Sequence, residues 1–132
     1  PILHMQLLAS DYPWDTVQMP VNVLDPHFRS FARTVLPKAQ AKGMGIIAMK
    51  TLAYGNIVKK NVVPVREALS YVWSQPVDVL VSGIETIEQL QANVQAAREF
   101  KWMELDTQQK LLARTREAGQ DGKLETFKAP QW

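Results

Sequence analysis

Residues 43–52 read GMGIIAMKTL, in which two glycines flank a methionine and an apolar run ends at a lysine. Gly43 is a natural stop for a preceding helix. The uninterrupted apolar run at 45–49 is typical of a strand buried on both faces, because a strand with one wet face would alternate apolar and polar residues. The stretch therefore predicts a junction between a helix and a buried strand, as in an α/β fold.

Two further segments predict strands, and a helical pattern follows each predicted strand. Residues 16–24 are rich in β-branched and apolar side chains, although Pro20 is unfavourable in a central strand. Residues 77–81, apolar except for Asp78, predict the third strand. A helix is predicted over about 28–42, kinked or divided by Pro37. Alternation at this spacing predicts parallel strands joined by right-handed crossovers, either in a small doubly wound sheet or in part of a (β/α) barrel.

The C-terminal third predicts two more helices. The first opens at Thr86 and is expected to turn its apolar residues inward, namely Ile87, Leu90, Val94 and Ala97. The second covers 107–117, capped by Asp106 or Thr107, so that a C-terminal helix and tail occupy 106–132. Residues 119–132 are predicted to be polar and irregular apart from Phe127 and Trp132.

The chain opens at Pro1 with residues that resemble the middle of a helix, since 2–9 are mostly apolar and no capping residue precedes them. We expect the sequence to begin inside an element of a longer protein. The alternative is a processed terminus that frays.

Composition excludes several classes of protein. The 132 residues are 46% apolar and 21% charged, which suits one globular domain. No uncharged stretch approaches the roughly 20 residues of a membrane helix, and a net charge of +2 without basic clusters does not indicate nucleic acid. The absence of cysteine excludes disulfides, thiolate zinc sites and iron–sulfur clusters. With only His4 and His27, a histidine-rich metal site is not expected either.

Ligands of α/β proteins sit at the carboxyl ends of the strands, which selects the loops at 22–27, 49–56 and 82–86. Gly83 precedes a helix start, where free amides bind anions, although an ordinary strand-to-helix turn has the same pattern. Lys50 directly follows a strand and could face a phosphate, or it is a surface lysine. These residues therefore indicate either a phosphate site or an ordinary strand-to-helix turn beside a surface lysine.

His27 is the other candidate for chemistry in these loops. It could act as a general acid or base, but capping or solvating the following helix is the simpler interpretation. No Ser-His-Asp set, phosphate loop or glycine-rich dinucleotide motif is present.

Four segments resemble the aldo-keto reductase family in the correct order. Residues 15–22 resemble its sixth strand, 43–52 its seventh strand and following loop, 82–93 its eighth strand and last barrel helix, and 124–128 its bacterial C-terminal end. The resemblance implies the C-terminal part of a TIM (β/α)8 barrel, with three of eight parallel strands, flanking helices and an incomplete barrel.

The resemblance also implies a nicotinamide and diphosphate site on the first two strands. Gln18 matches the position that holds the nicotinamide carboxamide, and Met49 the position packed against the nicotinamide face. Lys50 and Leu52 match positions that clasp the pyrophosphate. The implied cofactor is NADP.

The adenosine end is implied at the third strand and its helix. Gly83 and Thr86 match donors to the adenosine phosphate, and Gln89 and Asn93 match positions near the ribose and the adenine edge. Because relatives often carry arginine at the Gln89 position, NAD is not excluded.

The family's catalytic Asp, Tyr, Lys and His lie in the first half of the barrel, so none is expected in this chain. The resemblance implies a cytoplasmic enzyme that reduces aldehydes or ketones to alcohols, of which this chain supplies the cofactor-binding half and is inactive alone. Its partners would be the carbonyl substrate and the missing half of the barrel, or a second copy. The alternatives are a non-catalytic nicotinamide-binding module and a self-contained flavodoxin-like domain.

Overall fold

The computed structural model describes residues 1–129 and contains an open, parallel sheet. Its strands are β1 (Thr16–Pro20), β2 (Gly45–Met49) and β3 (Val79–Leu80), in the order β1-β2-β3. Gln18 lies opposite Ile47, which lies opposite Val79. The predicted α/β fold with three parallel strands and flanking helices is confirmed.

Helices fill the connections between the strands. Their bounds are α1 (Ile2–Leu8), α2 (Phe31–Thr34), α3 (Leu36–Ala41), α4 (Asn56–Lys59), α5 (Val65–Trp73), α6 (Ile87–Arg98) and α7 (Leu105–Gly119), with 3-10 turns at Asp25–His27 and Thr126–Lys128. The predicted helix at 28–42 is divided as expected, with Pro37 in the first turn of α3, where its missing N–H costs nothing.

Within residues 1–129, the helices cover one face of the sheet and leave the other uncovered. Met19, Ile46 and Ala48 are buried among helical side chains on that face. On the opposite face Ile47 and Met49 are half-buried. The prediction that 45–49 is buried on both faces is therefore wrong for the described residues, because the burial of β2 alternates with a period of two. We call the uncovered side, formed by Gln18, Ile47, Met49 and Val79, the open sheet face.

Two predicted strands are shorter in the structure. The strand predicted at 16–24 ends at Pro20, because the Asn22 side chain accepts hydrogen bonds from the amides of Leu24 and Asp25 and turns the chain. The strand predicted at 77–81 is reduced to Val79–Leu80.

The C-terminal helices differ from prediction in burial and in bounds. The inward orientation of Ile87, Leu90, Val94 and Ala97 is wrong, since all four are exposed and α6 buries only Ala96, packing against α5. The last helix starts at Leu105, so its N-cap position is Glu104 rather than Asp106 or Thr107.

The tail is also more ordered than predicted. Lys128 and Glu125 are buried, so 119–129 is not a polar surface segment, while Trp132 lies outside the described residues. Within 1–129, no helix has the length and apolar character needed to cross a bilayer.

Candidate functional site

The loops that follow the three strands meet at one edge of the sheet. Asn22 Nδ2 donates to the Lys50 carbonyl at 3.2 Å, which joins the loop after β1 to the loop after β2. Thr51 Oγ1 donates to the Val81 carbonyl at 3.4 Å, which joins the loop after β2 to the segment after β3. The three loops predicted to carry a ligand therefore form one continuous carboxyl edge.

Gln18, in the middle of β1, and Met49, at the end of β2, share the open sheet face. Pro20 lies opposite Met49 in the register, so Gln18 and Met49 are diagonal neighbours on adjacent strands. The Gln18 side chain is exposed, while its backbone carbonyl accepts a hydrogen bond from His4 Nε2 at 2.9 Å. The strand thus holds the Gln18 amide toward solvent beside a half-buried methionine.

Lys50 begins a tightly curled loop after β2. Lys50, Ala53 and Tyr54 all have left-handed backbone conformations, with φ of 53°, 49° and 56°. The Lys50 ammonium lies 3.9 Å from the centroid of the Tyr54 ring. Leu52 is half-buried and packs its side chain against the core.

Three predicted adenosine contacts hold the loop before α6 in place. Thr86 Oγ1 accepts from the Gln89 amide at 3.2 Å, and Gln89 Oε1 accepts from the Glu85 amide at 2.8 Å. Asn93 Nδ2 donates to Ser82 Oγ at 3.3 Å. These side chains have a structural role in the free protein, because they fasten the loop to its helix.

The N-terminus of α6 already carries a carboxylate. Hydrogen bonds from its own backbone amide, and then from the Thr86 hydroxyl, lower the pKa of Glu88. Gly83 is exposed, and a Cβ added there would meet nothing within 4 Å, so the described chain does not itself require a glycine. An anion approaching this turn would meet the Glu88 charge.

A cluster of buried charges lies behind the same edge, and sequence reasoning missed it. We call it the buried ionic cluster, formed by Asn22, Asp25, Glu125 and Lys128. Lys128 Nζ is 2.8 Å from Asp25 Oδ1 and 2.8 Å from Glu125 Oε2, and it donates to the Phe28 carbonyl at 2.8 Å. Asn22 Nδ2 donates to Glu125 Oε1 at 2.9 Å. The cluster attaches the tail to the loop after β1.

The two carboxylates of this cluster differ in their environments. Asp25 also accepts hydrogen bonds from the Ser30 hydroxyl and from the amides of Phe31 and Ala32, at 2.8, 3.0 and 2.9 Å. Burial raises the pKa of Glu125, against the opposing effect of the Lys128 ammonium. The protonated form is thus favoured more at Glu125 than in a free glutamate.

His27 is half-buried and packs against α7, and the following helix is capped by Ser30 rather than by His27. Its Nε2 lies 3.0 Å from Thr115 Oγ1, which in turn donates to the Val23 carbonyl. Burial, followed by the charge of Arg33, lowers the pKa of His27. A Cβ at Gly119 would lie 2.8 Å from the His27 ring, so this glycine allows α7 to approach closely.

The described residues contain no group of three or more acidic or histidine side chains that could hold a metal ion.

Comparison with known proteins identifies the fold but no sequence relative. No protein-family model and no curated protein matches the sequence. Among solved structures, the holo form of aldo-keto reductase AKR11C1 from Bacillus halodurans matches with a TM-score of 0.62 and 18% identity, over 86% of this chain. The chain spans about half of that structure, covering 46% of its length. Three parallel strands and their helices thus match part of an aldo-keto reductase barrel.

Proposed function

We propose that the protein is a cytoplasmic, NADP-dependent oxidoreductase of the aldo-keto reductase type that reduces aldehydes or ketones to alcohols. In this proposal the present residues form the cofactor-binding half. The observation that carries it is the position of Met49 and Lys50 at the carboxyl edge, with Gln18 beside Met49 on the open sheet face, in a fold that matches part of such a barrel.

The side chains at this edge fit the chemistry of a nicotinamide dinucleotide. The exposed Gln18 amide offers both a donor and an acceptor, as a carboxamide requires. Met49 presents a polarizable thioether that can cover a flat ring. Lys50 provides a positive charge for a diphosphate. When bound, the cofactor would supply a hydride to the carbonyl carbon.

The adenosine would lie along the segment that leads into α6, against Gly83, Thr86, Gln89 and Asn93. Residues 82–97 contain no lysine or arginine, so a 2′-phosphate would have no positive partner in this segment. NAD is therefore the alternative cofactor.

The open sheet face also supports a proposed partner. Ile47 and Met49 are half-buried, and Val79 is 51% exposed on this face. Covering such apolar surface is worth about 25 cal/mol per Å². We propose that the remaining half of the barrel, or a second copy of this chain, covers it.

Binding and turnover by the purified protein test the proposal together. We expect fluorescence titration to detect NADPH binding, and we expect no oxidation of NADPH when aldehydes and ketones are added, because the proton donor would lie outside this chain. A complete aldo-keto reductase assayed in parallel is the control for the substrates. Absence of binding by both NADPH and NADH would contradict the proposed function, whereas turnover would show that the catalytic groups lie within these residues.

A further inference from the structure

The loop after β2 holds its lysine against an aromatic ring in an unusual backbone conformation. Left-handed φ values are uncommon for residues other than glycine, and three occur between Lys50 and Tyr54. They bring the chain back on itself, so that the Lys50 ammonium lies over the Tyr54 ring at 3.9 Å. This distance is well inside the range of a cation–π contact.

The tail fixes the position of the ring. The Phe127 ring meets the Tyr54 ring edge-on, with the centroids 5.6 Å apart and the planes at 67°. Phe127 lies between Glu125 and Lys128, whose side chains are buried in the ionic cluster. Asn56 Nδ2, two residues after Tyr54, donates to the Leu124 carbonyl at 2.9 Å. The ring over Lys50 therefore contacts a tail whose neighbouring side chains, Glu125 and Lys128, are buried.

We propose that Lys50 and Tyr54 form a diphosphate subsite in which Tyr54 is the positioning residue. This inference rests on the proposed function and extends it to a residue outside the predicted site. An ammonium has three N–H donors, and a ring on one side leaves donors free on the other. Because the ring restricts the long lysine side chain before any ligand arrives, less side-chain entropy is lost when a diphosphate binds.

Four variants separate the positioning effect of the Tyr54 ring from the charge of Lys50 and from general aromatic packing. Lys50→Met removes the charge, Tyr54→Leu removes the ring, and Tyr54→Phe keeps the ring while removing the hydroxyl. Tyr12→Leu is the matched control, because Tyr12 is another exposed tyrosine that packs on an aromatic neighbour, Trp14.

The first measurement reports on the contact itself and needs no cofactor. The protein is labelled uniformly with ¹³C, and the Lys50 Cε–Hε signal is assigned by its loss in Lys50→Met. We expect an upfield ring-current shift of this signal in the native protein, in Tyr54→Phe and in Tyr12→Leu, and its loss in Tyr54→Leu. Inorganic pyrophosphate should perturb the Lys50 signal, and Tyr54→Leu should reduce that response.

The second measurement is the dissociation constant for NADPH by fluorescence titration. Loss of a cation–π contact at an exposed site corresponds to about a two- to fivefold weaker affinity for Tyr54→Leu. Lys50→Met should weaken binding about tenfold or more, since a hydrogen bond to a charged group is lost. Tyr54→Phe and Tyr12→Leu should stay within about twofold of the native protein, as the ring over Lys50 is retained in both.

The outcomes distinguish the subsite from the proposed function. If neither NADPH nor NADH binds but pyrophosphate still perturbs Lys50 through Tyr54, the proposed function is wrong and the subsite stands. If NADPH binds while Lys50→Met or Tyr54→Leu leaves its affinity unchanged, the subsite is wrong and the proposed function stands. Tighter binding by Tyr54→Leu would show that the ring competes with the ligand for Lys50, which also overturns the inference.

Discussion

Replacing Lys128 by Met is expected to lower the free energy of unfolding by about 3–5 kcal/mol. The Lys128 and Asp25 side chains have no exposed surface, and the Glu125 side chain is 1% exposed. Methionine fills a similar volume, but it leaves the Asp25 and Glu125 carboxylates without a positive partner in a site that water does not reach. The measurement is urea unfolding at neutral pH, followed by circular dichroism.

Two further variants identify the cause of this loss. Lys123→Met removes another tail lysine whose ion pair with Asp121 is largely exposed, so its cost should be below about 0.5 kcal/mol. Adding Glu125→Leu to Lys128→Met removes one of the two unpaired buried carboxylates and should restore part of the stability. A loss below about 1 kcal/mol for Lys128→Met would contradict the geometry of the buried ionic cluster.

Replacing Asn22 by Ala should cost about 2–4 kcal/mol, because several buried polar groups would lose their partner at once. Asn22 Oδ1 accepts from the Leu24 amide at 2.7 Å and from the Asp25 amide at 3.0 Å. Its Nδ2 donates to Glu125 and to the Lys50 carbonyl. The same urea unfolding experiment measures the effect.

Asn93→Ala is the matched control for this prediction. Asn93 makes one side-chain hydrogen bond, to Ser82 Oγ at 3.3 Å, in a partly exposed position. Its removal should cost less than about 1 kcal/mol. Equal costs for the two asparagines would show that Asn22 does not organise the loop after β1.

The alternation of strands and helices could be predicted because it depends on local patterns. The apolar run at 45–49 and the glycine before it are enough to mark β2, and Pro37 alone is enough to divide the helix after β1. Burial on the far side of the sheet could not be predicted, since an apolar strand does not specify how many layers cover it. The exposed apolar residues of α6 illustrate the same limit, because a 3.6-residue period identifies a face but not the element against it.

The buried ionic cluster could not be predicted because its partners are far apart in the sequence. Asp25 and Lys128 are separated by 103 residues, and charged residues are rarely fully buried unless they are paired. Asn22 and Asp25 do interrupt an apolar run, which is a weak local signal of buried polar groups. The tail carries no such signal, so its lysine is expected at the surface until the fold brings it to Asp25.

The most direct test of the central claim, that a nicotinamide dinucleotide binds at the carboxyl edge of the sheet, is an NADPH titration followed by backbone amide NMR. We expect the largest saturable shifts at Gln18, Met49, Lys50 and Gly83, which lie on or after the three parallel strands. The apolar groove between α1 and α3, lined by Met5 and Lys38, should not respond. Saturable shifts confined to that groove, or no saturable shifts at all, would contradict the account.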